Sequence, residues 1–151
     1  MKKKKILILN AHPRQDSLCN ALACQYRCGA EEAGHEVHFV TLRNLQFDPI
    51  MRQKHGEEMV GMEESLLNQQ KLIKWCEHLV IVTPLWFMGM PALLKGYLDR
   101  VLTPKFAFDY RDNKHIPVPL HLLKHRSARV IYTQGAPRYI TSLLAFDAFW
   151  K

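Results

Sequence analysis

His12, Arg14 and Ser17 sit between a continuous aliphatic run, Lys5 to Leu9, and the start of a helical pattern. Where a buried strand hands over to a helix, free backbone amides and the helix dipole favour an anion. Here those amides belong to Leu18 and Cys19, and His12, Arg14 and Ser17 add side-chain donors. The loop, Asn10 to Asn20, lacks both the glycine fingerprint of dinucleotide folds and the Walker lysine signature. On these residues alone, Ser17 can equally be only a helix cap and His12 a surface residue. A second stretch, Pro84-Leu85-Trp86-Phe87-Met88-Gly89-Met90-Pro91, sets two aromatics and two methionines on rigid backbone. It suits one edge and face of a flat heteroaromatic ring, with backbone amides donating to the ring's polar atoms. Trp86 and Phe87 fit a core or a subunit interface as well. The third stretch is Thr133-Gln134-Gly135-Ala136-Pro137-Arg138-Tyr139. Gly135 permits close backbone approach, and Thr133 and Gln134 can hydrogen-bond a ligand; a plain turn is the alternative.

These stretches share a position relative to the elements around them. Lys5 to Leu9 has the pattern of a strand buried on both faces of a parallel sheet. A helix capped by Asp16 or Ser17 follows, with Leu18, Leu22 and Ala30 near one face, and ends around Ala33 with Gly34 as its stop. The second strand is Glu36 to Leu42, and an irregular connection runs from Arg43 to Gly61. A second helix spans about Met62 to His78. Leu79 to Thr83 is the third strand, closed by Pro84, and Pro91 to Leu102 restarts a helix with proline in its first turn. Ala128 to Thr133 is the fourth strand, and a further helix begins near Tyr139. Alternating strands and helices imply right-handed crossovers and an open, doubly wound α/β sheet, with ligands bound at the carboxyl ends of the strands. The loops at Asn10, Pro84 and Gln134 lie there. The connector Thr103 to Ser127, with Phe106, Phe108 and Tyr110, is far longer than the usual ~2 to 6 residues and reads as a lid or binding loop.

Composition sets the bounds. The 151 residues, 48% hydrophobic, suit a single domain with one core. The net charge of +7 admits nucleic acid, an anionic membrane surface or phosphate-bearing ligands. No basic helix interleaved with aromatics argues for nucleic acid. The run Lys2 to Lys5 precedes too short an apolar stretch for a secretory signal, and no segment reaches the ~20 apolar residues of a membrane span. A cytoplasmic protein is expected. Cys19, Cys24, Cys28 and Cys76 lack metal-finger or secreted disulfide spacing. Cys24 and Cys28 share a helix face, but two further zinc ligands are not evident, so reduced structural thiols and no metal are expected.

The segments NAHPRQDSLCNAL, TPLWFMGMPALLKGYLDRVLTPKFAFDY and YTQGAPRYI resemble, in order, the three flavin-contacting regions of the flavodoxin-like NAD(P)H:quinone oxidoreductases and their bacterial relatives among NAD(P)H oxidoreductases and modulators of drug activity. PALLKG and DRVLTP make the likeness specific, and it runs from Lys4 to Lys151. The resemblance implies a flavodoxin-like parallel sheet of order 2-1-3-4. It implies a flavin, FMN or alternatively FAD, whose phosphate side meets His12, Ser17, Leu18 and Cys19. Pro84, Leu85, Trp86 and Phe87 would line its ring system, and Thr133, Gln134, Gly135, Ala136 and Tyr139 would complete the site. Phe108 and Tyr110 match the aromatic pair covering the substrate pocket, with Tyr110 the donor to the acceptor oxygen and Phe108 stacking above it. NADH or NADPH would donate hydride and a quinone or similar aromatic acceptor would receive it in a ping-pong cycle, in a homodimer.

Two departures accompany the likeness. The family's last loop usually reads Thr-Thr-Gly-Gly where this chain has Thr133-Gln134-Gly135-Ala136. The family also continues beyond the position of Lys151 through a fifth strand, so the expectation is a short or truncated member with its fourth strand exposed. Two rivals use the same fold: a flavin-bearing regulatory subunit of a transport system, and a flavodoxin-type electron carrier. Such carriers are typically acidic, unlike this basic chain.

Overall fold

The computed structural model describes residues 2–52, 61–87, 89–110, 119–135 and 137. A parallel sheet is built from β1 (Lys5–Asn10), β2 (Glu36–Thr41), β3 (His78–Pro84) and β6 (Ser127–Thr133), in the order β2-β1-β3-β6. This is the expected 2-1-3-4 order once the strands of the sheet alone are counted. The count differs because the connector after residue 103 contains a short antiparallel ribbon, β4 (Phe108–Tyr110) with β5 (Pro119–His121). Strands of three residues leave too little alternation for a sequence pattern to register.

Side chains of the sheet alternate between two cores, as strand geometry requires. Ile6, Ile8, Val80 and Val82 face helix α1 (Leu18–Glu32), packing against Cys19, Ala23 and Ala30. Leu7 and Leu9 face the opposite side, where Leu66 and Ile73 of α2 (Glu64–Trp75) and Leu94, Tyr97 and Val101 of α3 (Ala92–Val101) close over them. Of the face expected for α1, Ala30 is buried and Leu22 packs against this cluster, and Leu18 alone departs. Leu18 is exposed, while Cys19 and Ala23 are buried against the sheet. Leu42, expected at the end of β2, is fully buried in a one-turn 3-10 helix, Leu42–Asn44.

Helix ends follow the local chemistry. Ser17 caps α1, its Oγ accepting from the Asn20 N–H at 3.2 Å. At the other end Gly34 takes φ +80°, with Gly34 N–H donating to Glu31 O and His35 N–H to Ala30 O, a Schellman closure. Pro91 stands one residue earlier than expected, as the N-cap of α3. Gly96 explains why PALLKG needs its glycine: a Cβ there would lie 2.5 Å from the Pro49 Cβ and carbonyl oxygen. The chain at Asp48 and Pro49 is held against α3 by Arg100, which donates to Asp48 O at 2.7 Å and to Glu63 Oε2 at 2.6 Å. The helix expected from Tyr139 lies outside the described residues.

Candidate functional site

The parallel ladder carries three loops to one edge. Ala11 N–H donates to Val82 O and Leu85 N–H to Thr133 O, both at 2.8 Å, so the chain ends of β1, β3 and β6 remain in register as the strands finish. Between them opens a cavity of about 270 Å³. The first loop contributes His12, Arg14, Asp16, Ser17, Leu18 and Cys19, the second Pro84, Leu85 and Trp86, and the third Thr133, Gln134 and Gly135. Nearly every cofactor-binding residue expected from sequence thus borders one space. Ala136 and Tyr139 lie outside the described residues. Phe87 does not line the cavity, and neither do Phe108 and Tyr110.

His12 is the best-defined group of the cavity. Its ring is buried, packs edge-on to Trp86 at 5.6 Å between centroids, and accepts the Arg14 N–H on Nδ1 at 3.0 Å. Burial lowers its pKa, and the Arg14 guanidinium lowers it further. A neutral ring accepting on Nδ1 carries its proton on Nε2, leaving one donor. The loop itself is pinned by Asn10, fully buried at the end of β1. Its Oδ1 accepts from His12 N–H at 3.2 Å, and its Nδ2 donates to Asn20 Oδ1 at 2.8 Å across the first turn of α1. Sequence reasoning placed Asn10 only as a loop boundary; a carboxamide directly after an aliphatic run was the available signal. Cys19 ties α1 to the third loop, with Sγ 3.2 Å from Thr133 Oγ1.

The amides of Leu18 and Cys19 open α1 and have no hydrogen-bond partner among the described residues, as the first turn of a helix dictates. With the exposed Arg14, which pairs only loosely with Asp16 at 3.8 Å, they make this corner attractive to an anion. On the second loop, Trp86 and Gly89 exchange N–H to carbonyl bonds at 2.9 Å each. Phe87 occupies the tip of that turn with φ +48°, fully exposed. A bulky residue in the left-handed region costs ~1–3 kcal/mol, a strain found characteristically at ligand clamps and switches. Phe108 and Tyr110 contact each other on the ribbon, edge-on at 5.7 Å. The ribbon is fastened to the body by Phe106, buried in the α2–α3 core.

A family model described as the flavodoxin-like fold matches residues 4–150. An uncharacterized NAD(P)H oxidoreductase of Haemophilus influenzae is 32% identical over 133 residues, covering 86% of this chain and 64% of the relative. FMN-dependent NADH:quinone oxidoreductase 2 of Lactiplantibacillus plantarum is 28% identical, covering 89% of this chain and 69% of that protein. Among solved structures, the NAD(P)H:quinone oxidoreductase of Methanothermobacter marburgensis superposes with a TM-score of 0.80 at 23% identity, over 95% of this chain and 73% of its own. The chain thus spans less than two-thirds of the length of the Haemophilus relative.

Proposed function

The chain belongs to the family of the flavodoxin-like fold, and on that footing we propose that it holds FMN in the carboxyl-edge cavity and reduces quinones or similar aromatic acceptors at the expense of NADH or NADPH. The observation that carries this reading is the convergence of three separate loops on one cavity. Its chemical character fits an elongated anionic ligand with a flat ring: unpaired amides and Arg14 at one end, apolar Pro84, Leu85 and Trp86 beside them. The Lactiplantibacillus relative, named as FMN-dependent, supports FMN as the cofactor.

Bound there, a flavin supplies two-electron chemistry that no side chain of the cavity can perform alone. The protein's own part is to bind and orient. The Leu18 and Cys19 amides and the Nε2–H of His12 would hold the phosphate end by hydrogen bonds. Trp86 supports His12 and would offer a wall to the ring. Thr133 and Gln134 would offer polar atoms to the ring. Phe108 and Tyr110 do not border the cavity, and their part in holding the acceptor, with Tyr110 as hydrogen-bond donor to its oxygen, rests on the family resemblance. A ping-pong order, in which donor and acceptor would take turns at one site, belongs to the proposal as well. A homodimer in the cytoplasm is part of the same proposal; among the described residues, no helix is long and apolar enough to cross a membrane.

The test is the absorbance spectrum of the purified protein, mass measurement of any released cofactor, and NAD(P)H oxidation with menadione. Yellow protein releasing FMN and turning over menadione is the expected result. Flavin binding without turnover replaces the enzyme by a regulatory subunit or carrier, and a colourless protein that cannot be reconstituted removes the flavin altogether.

A further inference from the structure

Between the end of β1 and the first turn of α1 the hydrogen bonds close into a ring. Asn10 Oδ1 accepts from His12 N–H at 3.2 Å, and His12 Nδ1 accepts from Arg14 N–H at 3.0 Å. Arg14 O accepts from the Ser17 hydroxyl at 3.3 Å, and Ser17 Oγ accepts from Asn20 N–H at 3.2 Å. Asn20 Oδ1 accepts from Asn10 Nδ2 at 2.8 Å and brings the ring back to its start. Four of these links join residues two or three apart, contacts that a loop makes and loses locally. The link between Asn10 and Asn20 spans the whole loop, and it is the shortest of the five.

Position 10 calls for a carboxamide. Its side chain is fully buried, on the face of β1 that Ile6 and Ile8 turn toward α1. There it offers an acceptor to one N–H and a donor to one carbonyl oxygen, and it stays uncharged beside a corner whose free amides attract an anion. A carboxylate supplies acceptors only and carries the wrong charge, and an aliphatic side chain supplies neither bond. Neither Asn10 nor Asn20 borders the carboxyl-edge cavity. Their influence on a ligand therefore passes through His12, Ser17 and the Leu18 and Cys19 amides, all within the loop that the ring closes.

We propose that Asn10 and Asn20 are positioning residues that set this loop for a phosphate before the cofactor arrives, and so make the site favour a phosphorylated flavin over an unphosphorylated one. The proposal rests on the reading of the carboxyl-edge cavity as a flavin site. A loop already in its bound shape spares the ligand the cost of ordering it. Opening the ring restores that cost at the phosphate end alone, because Pro84, Leu85 and Trp86, beside the flat ring, belong to another loop.

The test compares FMN with riboflavin, which lacks the phosphate, by flavin fluorescence titration of the parent protein, Asn20→Ala, Asn10→Leu and the double variant, each also unfolded in urea. Asn20→Ala keeps the backbone N–H that Ser17 accepts and removes one acceptor from a partly exposed turn, so it folds even where Asn10→Leu does not. The parent is expected to bind FMN more tightly than riboflavin. In Asn20→Ala FMN affinity should fall roughly tenfold while riboflavin affinity changes by less than about twofold. The double variant should lose no more FMN affinity than Asn10→Leu alone, since the two residues form one link. Equal losses for both flavins, a loss of urea stability with the preference for FMN intact, or losses that add in the double variant would reduce the pair to a structural tie and overturn the proposal. A parent protein that binds neither flavin overturns the cofactor reading itself, and the proposal with it.

Discussion

Burial against Trp86 and a backbone hydrogen bond to Nδ1 give His12 a single tautomer, and both features have measurable consequences. His12→Leu keeps an apolar ring contact but removes the Nε2 donor. FMN affinity, read from quenching of flavin fluorescence, should fall roughly tenfold, the worth of one hydrogen bond to a charged group. The lowered pKa of the ring also fixes the sign of a pH effect. The unfolded chain takes up its proton near pH ~6.5, before the folded ring does, so proton uptake favours unfolding. Stability should be flat above that pH and decline as pH falls through the lowered folded value. His78, lowered by burial and by Arg129 and Lys4, contributes in the same direction. Urea midpoints at pH 7.5, 6.5 and 5.5 should show this decline, and His12→Gln with His78→Gln should flatten it. Glu63 acts lower on the scale. Burial raises its pKa, but hydrogen bonds and Arg100 outweigh that and hold it down, so its contribution is lost only below about pH 4.3. At this scale the sequence marked the positions of His12 and Ser17 but left open a cap and a surface residue, and it showed no sign of the strain at Phe87, because backbone φ is set by the Trp86–Gly89 turn and not by residue type.

Among the elements, the loop-to-helix junction at Asn10–Asn20 was legible because strand, cap and helix each left a separate mark: an aliphatic run, a serine, then periodic apolar positions. The face of α1 was less so. Leucine outranks cysteine and alanine in any hydrophobicity count, yet Leu18, in the first turn of α1, borders the carboxyl-edge cavity and is exposed, while Cys19 and Ala23 are buried. The β4–β5 ribbon was invisible for want of length, although the surrounding connector stood out as a binding loop. Ser17→Ala should cost about 1 kcal/mol in chemical denaturation, the usual worth of an N-cap. It should also weaken FMN binding, because the cap sets the direction of the Leu18 and Cys19 amides. Equal loss of stability with unchanged flavin affinity would reduce Ser17 to a cap alone. Gly96 shows packing that no local pattern reveals. The residue that forbids a side chain there is Pro49, far away in sequence. Gly96→Ala gains helix propensity but overpacks this contact, so a net loss of about 1–3 kcal/mol is expected in thermal or urea unfolding, against the gain seen at an open helix glycine.

For the molecule as a whole, the open parallel sheet and the gathering of loops at its carboxyl edge follow from alternating strands and helices, whereas the order β2-β1-β3-β6 was legible only through the family resemblance. Among the described residues β6 pairs only with β3, and Val130 on its α3 side is 59% exposed beside an apolar cleft bordered by Leu94, Leu98 and Tyr132. A strand with one open edge and an apolar face is a template for pairing with another copy, and native edges are commonly blunted with lysine. The net charge of +7 opposes such association through long-range repulsion, which salt screens over a Debye length of about 8 Å at physiological strength. The two effects predict a definite salt dependence: light scattering should be low in dilute buffer and rise with both protein and salt concentration. Val130→Lys replaces an exposed apolar side chain by a charge and should suppress the rise, while shifting folding stability by no more than about 0.5 kcal/mol, as for other exposed positions. If the variant scatters as strongly as the parent at equal salt, β6 is not the surface through which copies meet.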